Sequence, residues 1–289
     1  MSRQKLTLIV TCTDRKSAQP THDLMARHLP TGDIATRARQ WTASLERGAP
    51  RIPLVDLYRG ETWSQVKGLL ATARDLGHDA DVLIASAGLG LQPLHESAPA
   101  YAATFSSGHP DSVADSPSAA RTWWKSLPRT EHVQGRPALW VLSENYSRAI
   151  AADLLETLGP SELLVFGGSK EIPADMRVPA DRSLRRALGG TVTSLNVRAA
   201  TQWLSLSRGK SPFGDRAHRR WSDWSDQARH HEQYDRRPLT DSAVLDYVEM
   251  LRGQNAGVSK TAALKSLRAA GLACEQRRFS ALFRQAVDG

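Results

Sequence analysis

A chain of 289 residues, 40% of them apolar, has material for one large core and a small accessory unit. Its net charge of +8 points to polyanions, nucleic acid foremost. Two distant cysteines, Cys12 and Cys274, argue against a disulfide framework, and no apolar run nears the ~18 residues needed to cross a bilayer. The opening MSRQKLTLIVTC also has too short an apolar run for a signal peptide, so a cytoplasmic protein without a membrane partner is expected.

Leu6 to Cys12 is β-branched and apolar, as in a first strand buried on both faces. It runs into Thr13-Asp14-Arg15-Lys16. In a parallel sheet this cluster sits at the ligand edge, with Asp14 as a carboxylate and Arg15 and Lys16 as phosphate partners. Residues 33–47 suit a helix, Arg51–Leu57 an extended segment broken by Pro53, and Glu61–Leu76 a helix ended by Gly77. Val82–Ala85 is the next strand.

The stretch from Ser86 to Val113 then reads as a long loop, too polar and too aromatic for a mere connection. It carries Ser86, Gly88, Glu96, Tyr101, Phe105 and Asp111, which we expect around a pocket. A short helix over Ala119–Leu127 follows, then the strand Ala138–Leu142. Asn145 opens the next helix, which Gly159 closes. A strand over Glu162–Phe166 and a strand turn with a helix over Thr191–Leu206 complete the pattern. This alternation predicts an α/β domain over residues 1–207, with a mainly parallel open sheet sandwiched by helices.

Residues 208–238 are charged and poor in aliphatics, with Trp221, Trp224 and Tyr234 isolated, as in a basic linker. Residues 239–289 predict three short helices capped by Thr240 or Asp241 and by Ser259. Their tight turn and exposed cations fit a helix-turn-helix-like DNA-binding unit, with Ser259, Lys260, Lys265, Arg277 and Arg278 towards the DNA. From residue 201 onward, 15 Lys and Arg face 10 Asp and Glu.

Several chemistries lack their signatures. The zinc deaminase pattern is missing, two distant cysteines make no thiolate zinc site, and no metal is expected. Gly167-Gly168-Ser169-Lys170 lacks P-loop spacing, Gly88-Leu89-Gly90 lacks the third glycine of a dinucleotide site, and no G-x-S-x-G elbow occurs. A cofactor-free pocket remains, with Asp14, Glu96 and Asp111 as catalytic carboxylates. Tyr101 and Phe105 would stack on a flat heterocycle that Ser86, Gly88 and Asn145 read. Cys12, read as lying inside the strand, fits a structural thiol.

Cys12-Thr13-x-x-Lys16, Ser86-Ala87-x-x-Gly90-Leu91 and the Pro99 and Tyr101 element together resemble the YaaA-type proteins and their relatives. That group is linked to nucleic acid, and some relatives accompany 7-deazaguanine modification. The resemblance extends distantly to the uracil-DNA-glycosylase-like fold and covers roughly residues 6–112. Asp14 matches the place of those enzymes' water-activating aspartate, although the surrounding G-Q-D-P-Y-H motif is missing. The segment Gly189-Gly190-Thr191, Ser194-Leu195-Asn196 and Arg198 looks like a further family element, without an assigned role.

These readings lead to a monomeric DNA glycosylase acting on double-stranded DNA, at a modified base such as a hypermodified phage cytosine, in antiviral defence. It would flip the nucleotide out, hydrolyse its N-glycosidic bond and leave an abasic site, with Arg15, Lys16 and Arg198 on phosphates. A 7-deazaguanine-type base-modifying enzyme using Cys12 or Glu96, and a non-enzymatic DNA-binding regulator, are the alternatives.

Overall fold

The computed structural model describes residues 4–130, 133–208, 210–230 and 237–288. The chain divides into two units, Met1–His230 and His231–Gly289.

In the first unit, β1 (Gln4–Thr11), β2 (His78–Ser86), β3 (Gly90–Pro93), β4 (Ala138–Leu142), β5 (Leu163–Gly167) and β6 (Arg177–Val178) form one sheet in the order β3-β2-β1-β4-β5-β6. All pairings are parallel except β2 with β3. The continuous apolar runs explain this: Leu8, Ile9 and Val10 of β1 and every residue of β4 are buried, so both faces need a cover. The helices supply it in two packed groups. One comprises α1 (Ile34–Arg47), α3 (Pro117–Lys125) and α4 (Glu144–Leu158). The other comprises α2 (Glu61–Asp75), α5 (Leu195–Ser207) and α6 (Asp215–Ala228). The chain moves from β1 to β2 on one side and later returns to β4 on the other. The strand order therefore reverses between β1 and β4, where open α/β sheets hold their ligands.

Three expectations change. The 51–57 segment is extended only at its start: Ile52–Pro53 pairs with Ser97–Ala98, and Leu54–Leu57 is a helical turn. The stretch after Ser86 is not one loop, because β3 and Ser97–Ala98 lie within it. Residues 208–230 are not a linker. Their α6 buries Ala217, Trp221 and Ser225 at four-residue spacing, and the Trp221 indole donates to the Pro179 carbonyl at 3.1 Å beside Trp203. The aliphatic-poor sequence conceals a narrow apolar stripe made mostly of tryptophan. Tyr234 lies outside the described residues.

The second unit has its own small core of Val244, Val248, Leu267 and Phe279 inside α7 (Asp241–Gln254), α8 (Lys260–Ala269) and α9 (Gln276–Asp288). Arg237–Pro238 and Leu272–Ala273 pair as a short parallel ladder. Among the described residues, no helix is long and apolar enough to cross a membrane.

Candidate active site at the strand-order reversal

A hollow of about 590 Å3 opens at the carboxyl ends of β1 and β4. Cys12, Asp14 and Arg15 line it after β1, Arg59 and Glu61 at the start of α2, and Ser143 and Tyr146 at the start of α4. Thr104 and Thr191 complete the wall. Backbone and side-chain bonds hold the loop after β1: Arg59 N–H donates to the Arg15 carbonyl at 2.9 Å, and the Thr13 hydroxyl to the Arg59 carbonyl at 3.1 Å. Asp14 is exposed on the rim, and none of the ion pairs among the described residues engages it. Arg15 and Arg59 are likewise exposed, and both line the hollow.

Lys16 turns inward, contrary to its expected place on a phosphate. Its ammonium donates to the carbonyls of Thr13 at 3.1 Å and Asp14 at 3.2 Å and sits over the Tyr101 ring, 4.4 Å from the centroid. Burial pushes its pKa down, against the opposing pull of Cys12, Asp14 and Asp111. Lys16 thus braces the Asp14 loop from below.

Tyr101 is no stacking platform. It is 1% exposed, and its ring presses on Gly88, where a Cβ would come within 2.4 Å of two ring carbons. Ser86 Oγ accepts the N–H groups of Gly88 at 3.0 Å and Leu89 at 3.1 Å, so its own proton goes to the Tyr101 oxygen at 2.5 Å. The Tyr58 and Tyr101 oxygens lie 2.7 Å apart. Burial raises the pKa of both phenols and of Tyr146, which keeps all three neutral. Ser86, Gly88 and Tyr101 therefore form an internal brace rather than a base-reading edge.

The remaining expected residues scatter. Phe105 is buried with its ring 5.0 Å from that of Tyr146, and with Asn145 it borders a separate hollow of about 240 Å3. The segment around Thr104 divides this hollow from Asp14's, since Thr104 and Ser106 face one and Phe105 and Ser107 the other. Glu96 is elsewhere again, exposed on a hollow of about 670 Å3 that reaches Asp81 and Val82 on the amino-terminal half of β2. Asp111 is sealed in an ion pair: its carboxylate accepts from Arg27 Nε at 2.8 Å, from Arg27 Nη2 and from the Arg27 backbone N–H at 3.2 Å. Those bonds hold its pKa below the usual carboxylate range. Of the three carboxylates, only Asp14 lines the hollow.

Arg198 is also spent. Its guanidinium donates to Glu61 at 3.0 Å and to the Leu188 carbonyl at 3.3 Å. Glu61 further accepts from Thr191 Oγ1 at 2.5 Å and Ser194 Oγ at 2.6 Å, which lowers its pKa to about 2. This gives the Gly189–Arg198 segment its role: it latches the start of α5 onto the start of α2. Gly190 leaves the space, since a Cβ there would lie 2.4 Å from Arg198 Nε and 2.6 Å from Glu61 Oε1. Glu61 went unsingled in sequence because its partners lie more than a hundred residues away.

Cys12 stands past the end of β1, half-buried on the hollow, with its Sγ 3.2 Å from the Tyr146 oxygen. It is not inside the strand.

In the second unit Ser259 caps α8, accepting from Ala262 N–H at 3.2 Å, and Arg278 donates to Asp241 at 2.6 Å and the Leu239 carbonyl at 3.0 Å. Both serve the fold. Lys260, Lys265 and Arg277 are exposed.

No family model, curated protein or solved structure matches the chain.

Proposed function

We propose that the chain hydrolyses the N-glycosidic bond of a modified base in DNA, taking the flipped nucleotide into the hollow between β1 and β4. The observation that carries this reading is the position of Asp14: an exposed carboxylate without an ion pair among the described residues, on a hollow flanked by Arg15 and Arg59. A volume of about 590 Å3 falls in the range of small-molecule sites. The carboxylate stabilises the cationic sugar and orients water. The water oxygen bonds to the anomeric carbon, the carbon–nitrogen bond breaks with its electron pair going to the base, and the proton that the water loses ends on the departing base. Arg15 and Arg59 hold the flanking phosphates, and Ser143, whose oxygen accepts the Tyr146 N–H, keeps its own proton to donate to the sugar or base. The match of Asp14 to the place of the water-activating aspartate in uracil-DNA-glycosylase-like proteins supports the same chemistry, and the net charge of +8 supports a nucleic-acid partner.

One observation favours a second reading. The Cys12 thiol reaches the hollow beside the Tyr146 hydroxyl, so a base-modifying reaction has a nucleophile in place. Incubation with duplexes carrying modified or plain bases separates the two. Glycosidic hydrolysis gives free base and abasic sites, whereas modification gives altered nucleosides without either. Full activity in Asp14→Asn would overturn the hydrolytic mechanism.

A further inference from the structure

The second unit is electrostatically two-sided. Its helix α7 carries Asp241, Asp246 and Glu249, whereas from residue 257 to 287 the sole carboxylate is Glu275. That carboxylate is occupied at the start of α9, accepting the N–H groups of Arg277 at 2.9 Å and Arg278 at 2.8 Å. Between α8 and the first turns of α9 runs a groove of about 580 Å3, lined by Lys260, Thr261, Lys265 and Arg268 on α8 and by Gln276 and Ser280 on α9. Its charged groups are all cationic. Beyond it, α9 turns Phe279, Leu282 and Phe283 into the core and Arg277, Ala281 and Arg284 outward at helical spacing.

We infer that this unit docks on double-stranded DNA with a division of labour: the α8 side of the groove takes the phosphodiester backbone, and the outward face of α9 enters the major groove. The inference rests on the reading of DNA as partner and assigns that contact to particular side chains. Lys260, Lys265 and Arg268 are cations along one side of the groove and suit phosphates, which fix position without reading sequence. Arg277 and Arg284 are the donor type that pairs with guanine edges, and Gln276 is the type that pairs with adenine. The methyl of Ala281 between the two arginines lets the helix backbone come close. A B-form major groove admits a helix, whereas that of A-form RNA is too narrow, so the face suits DNA. Ser259 and Arg278, occupied within the unit, are left out.

The test uses the full chain and a fluorescent mixed-sequence duplex of about 20 base pairs, with binding read by anisotropy across roughly 50–300 mM salt. The Lys260→Gln, Lys265→Gln, Arg268→Gln triple variant is expected to make the salt slope shallower by about 2–3, near 0.9 per lost phosphate contact. Its affinity at physiological salt should drop at least about tenfold. Arg277→Ala with Arg284→Ala should narrow the gap between preferred and random duplexes selected from a library. An unchanged slope in a triple variant with native circular dichroism overturns the inference, and so does equal or tighter binding to duplex RNA. Base release from a short single-stranded modified oligonucleotide is followed in parallel. No base release by the wild type, with duplex binding intact, counts against the hydrolase reading and not against this contact.

Discussion

The Arg198 guanidinium lies 3.0 Å from the Glu61 carboxylate and ties the first turn of α5 to the first turn of α2. The same carboxylate collects the hydroxyls of Thr191 and Ser194, so one side chain closes the rim of the hollow. Its pKa of about 2 sets a pH signature. A depressed carboxylate contributes stability in full above its unfolded value, and that contribution fades as pH falls towards the folded one. Denaturation midpoints of the wild type should therefore drop as pH goes from about 4.5 towards 2, and Glu61→Gln should show a smaller drop. At neutral pH the variant should lose about 1 kcal/mol, a discounted figure because the pair is partly exposed.

Gly88 and Tyr101 make a second, purely steric prediction. Gly88 keeps a backbone open to other residues, yet a Cβ would stand 2.4 Å from the Tyr101 ring. That ring is buried and held through its hydroxyl by Ser86 and Tyr58, so it has nowhere to move. Gly88→Ala should destabilise by about 1–3 kcal/mol, the usual range for overpacking. Calorimetry should show the melting temperature lower by several degrees.

The parallel sheet was legible because its strands carry short apolar runs such as Leu8-Ile9-Val10 and ALWVL, the pattern of strands covered on both faces. Caps at Thr240 and Ser259 marked the late helices, and both side chains accept the expected N–H bond. What escaped was direction. Tyr101 and Asp111 sit in a polar loop, but no local spacing tells whether a side chain faces a pocket or turns inward to a lysine, as Tyr101 does, or to an arginine, as Asp111 does. The Glu61 latch escaped for a related reason: ion pairs between distant residues leave no periodicity. Asp14 was placeable because its position follows from the strand before it.

His78 supplies a third prediction. It is 3% exposed at the start of β2, and neither ring nitrogen finds a hydrogen-bond partner among the described residues. Burial lowers its pKa from 6.5, so the folded state keeps the ring neutral while the unfolded chain takes up a proton more readily. Stability from this group is present above 6.5 and lost as pH falls through it towards the folded value. Urea titrations at successive pH values should show the loss in wild type. His78→Leu should flatten it, because the replacement has no charge to desolvate. An equally steep acid loss in His78→Leu would assign the effect to other groups.

Lys16 separates stability from activity most sharply. Its ammonium is nearly buried against Tyr101, and the pKa lowered by that burial means that the charged form is desolvated in the fold. A methionine fills similar volume, keeps contact with the ring and removes the desolvation cost. Lys16→Met also removes both bonds to the Thr13 and Asp14 carbonyls. Stability should therefore change by less than about 1.5 kcal/mol, whereas the loop that aims Asp14 loosens. Misplacement of a reacting group by about 1 Å costs on the order of a hundredfold in rate. Under the proposed hydrolysis, single-turnover base release should fall by about that factor in Lys16→Met, with the urea midpoint nearly kept. A folded native lysine with a lowered pKa also gains stability as pH rises towards 10.5, an increment that the variant should lack. A variant with wild-type turnover would show that Asp14 needs no support from beneath, and a variant that unfolds would show that the two carbonyl bonds outweigh the burial of the charge.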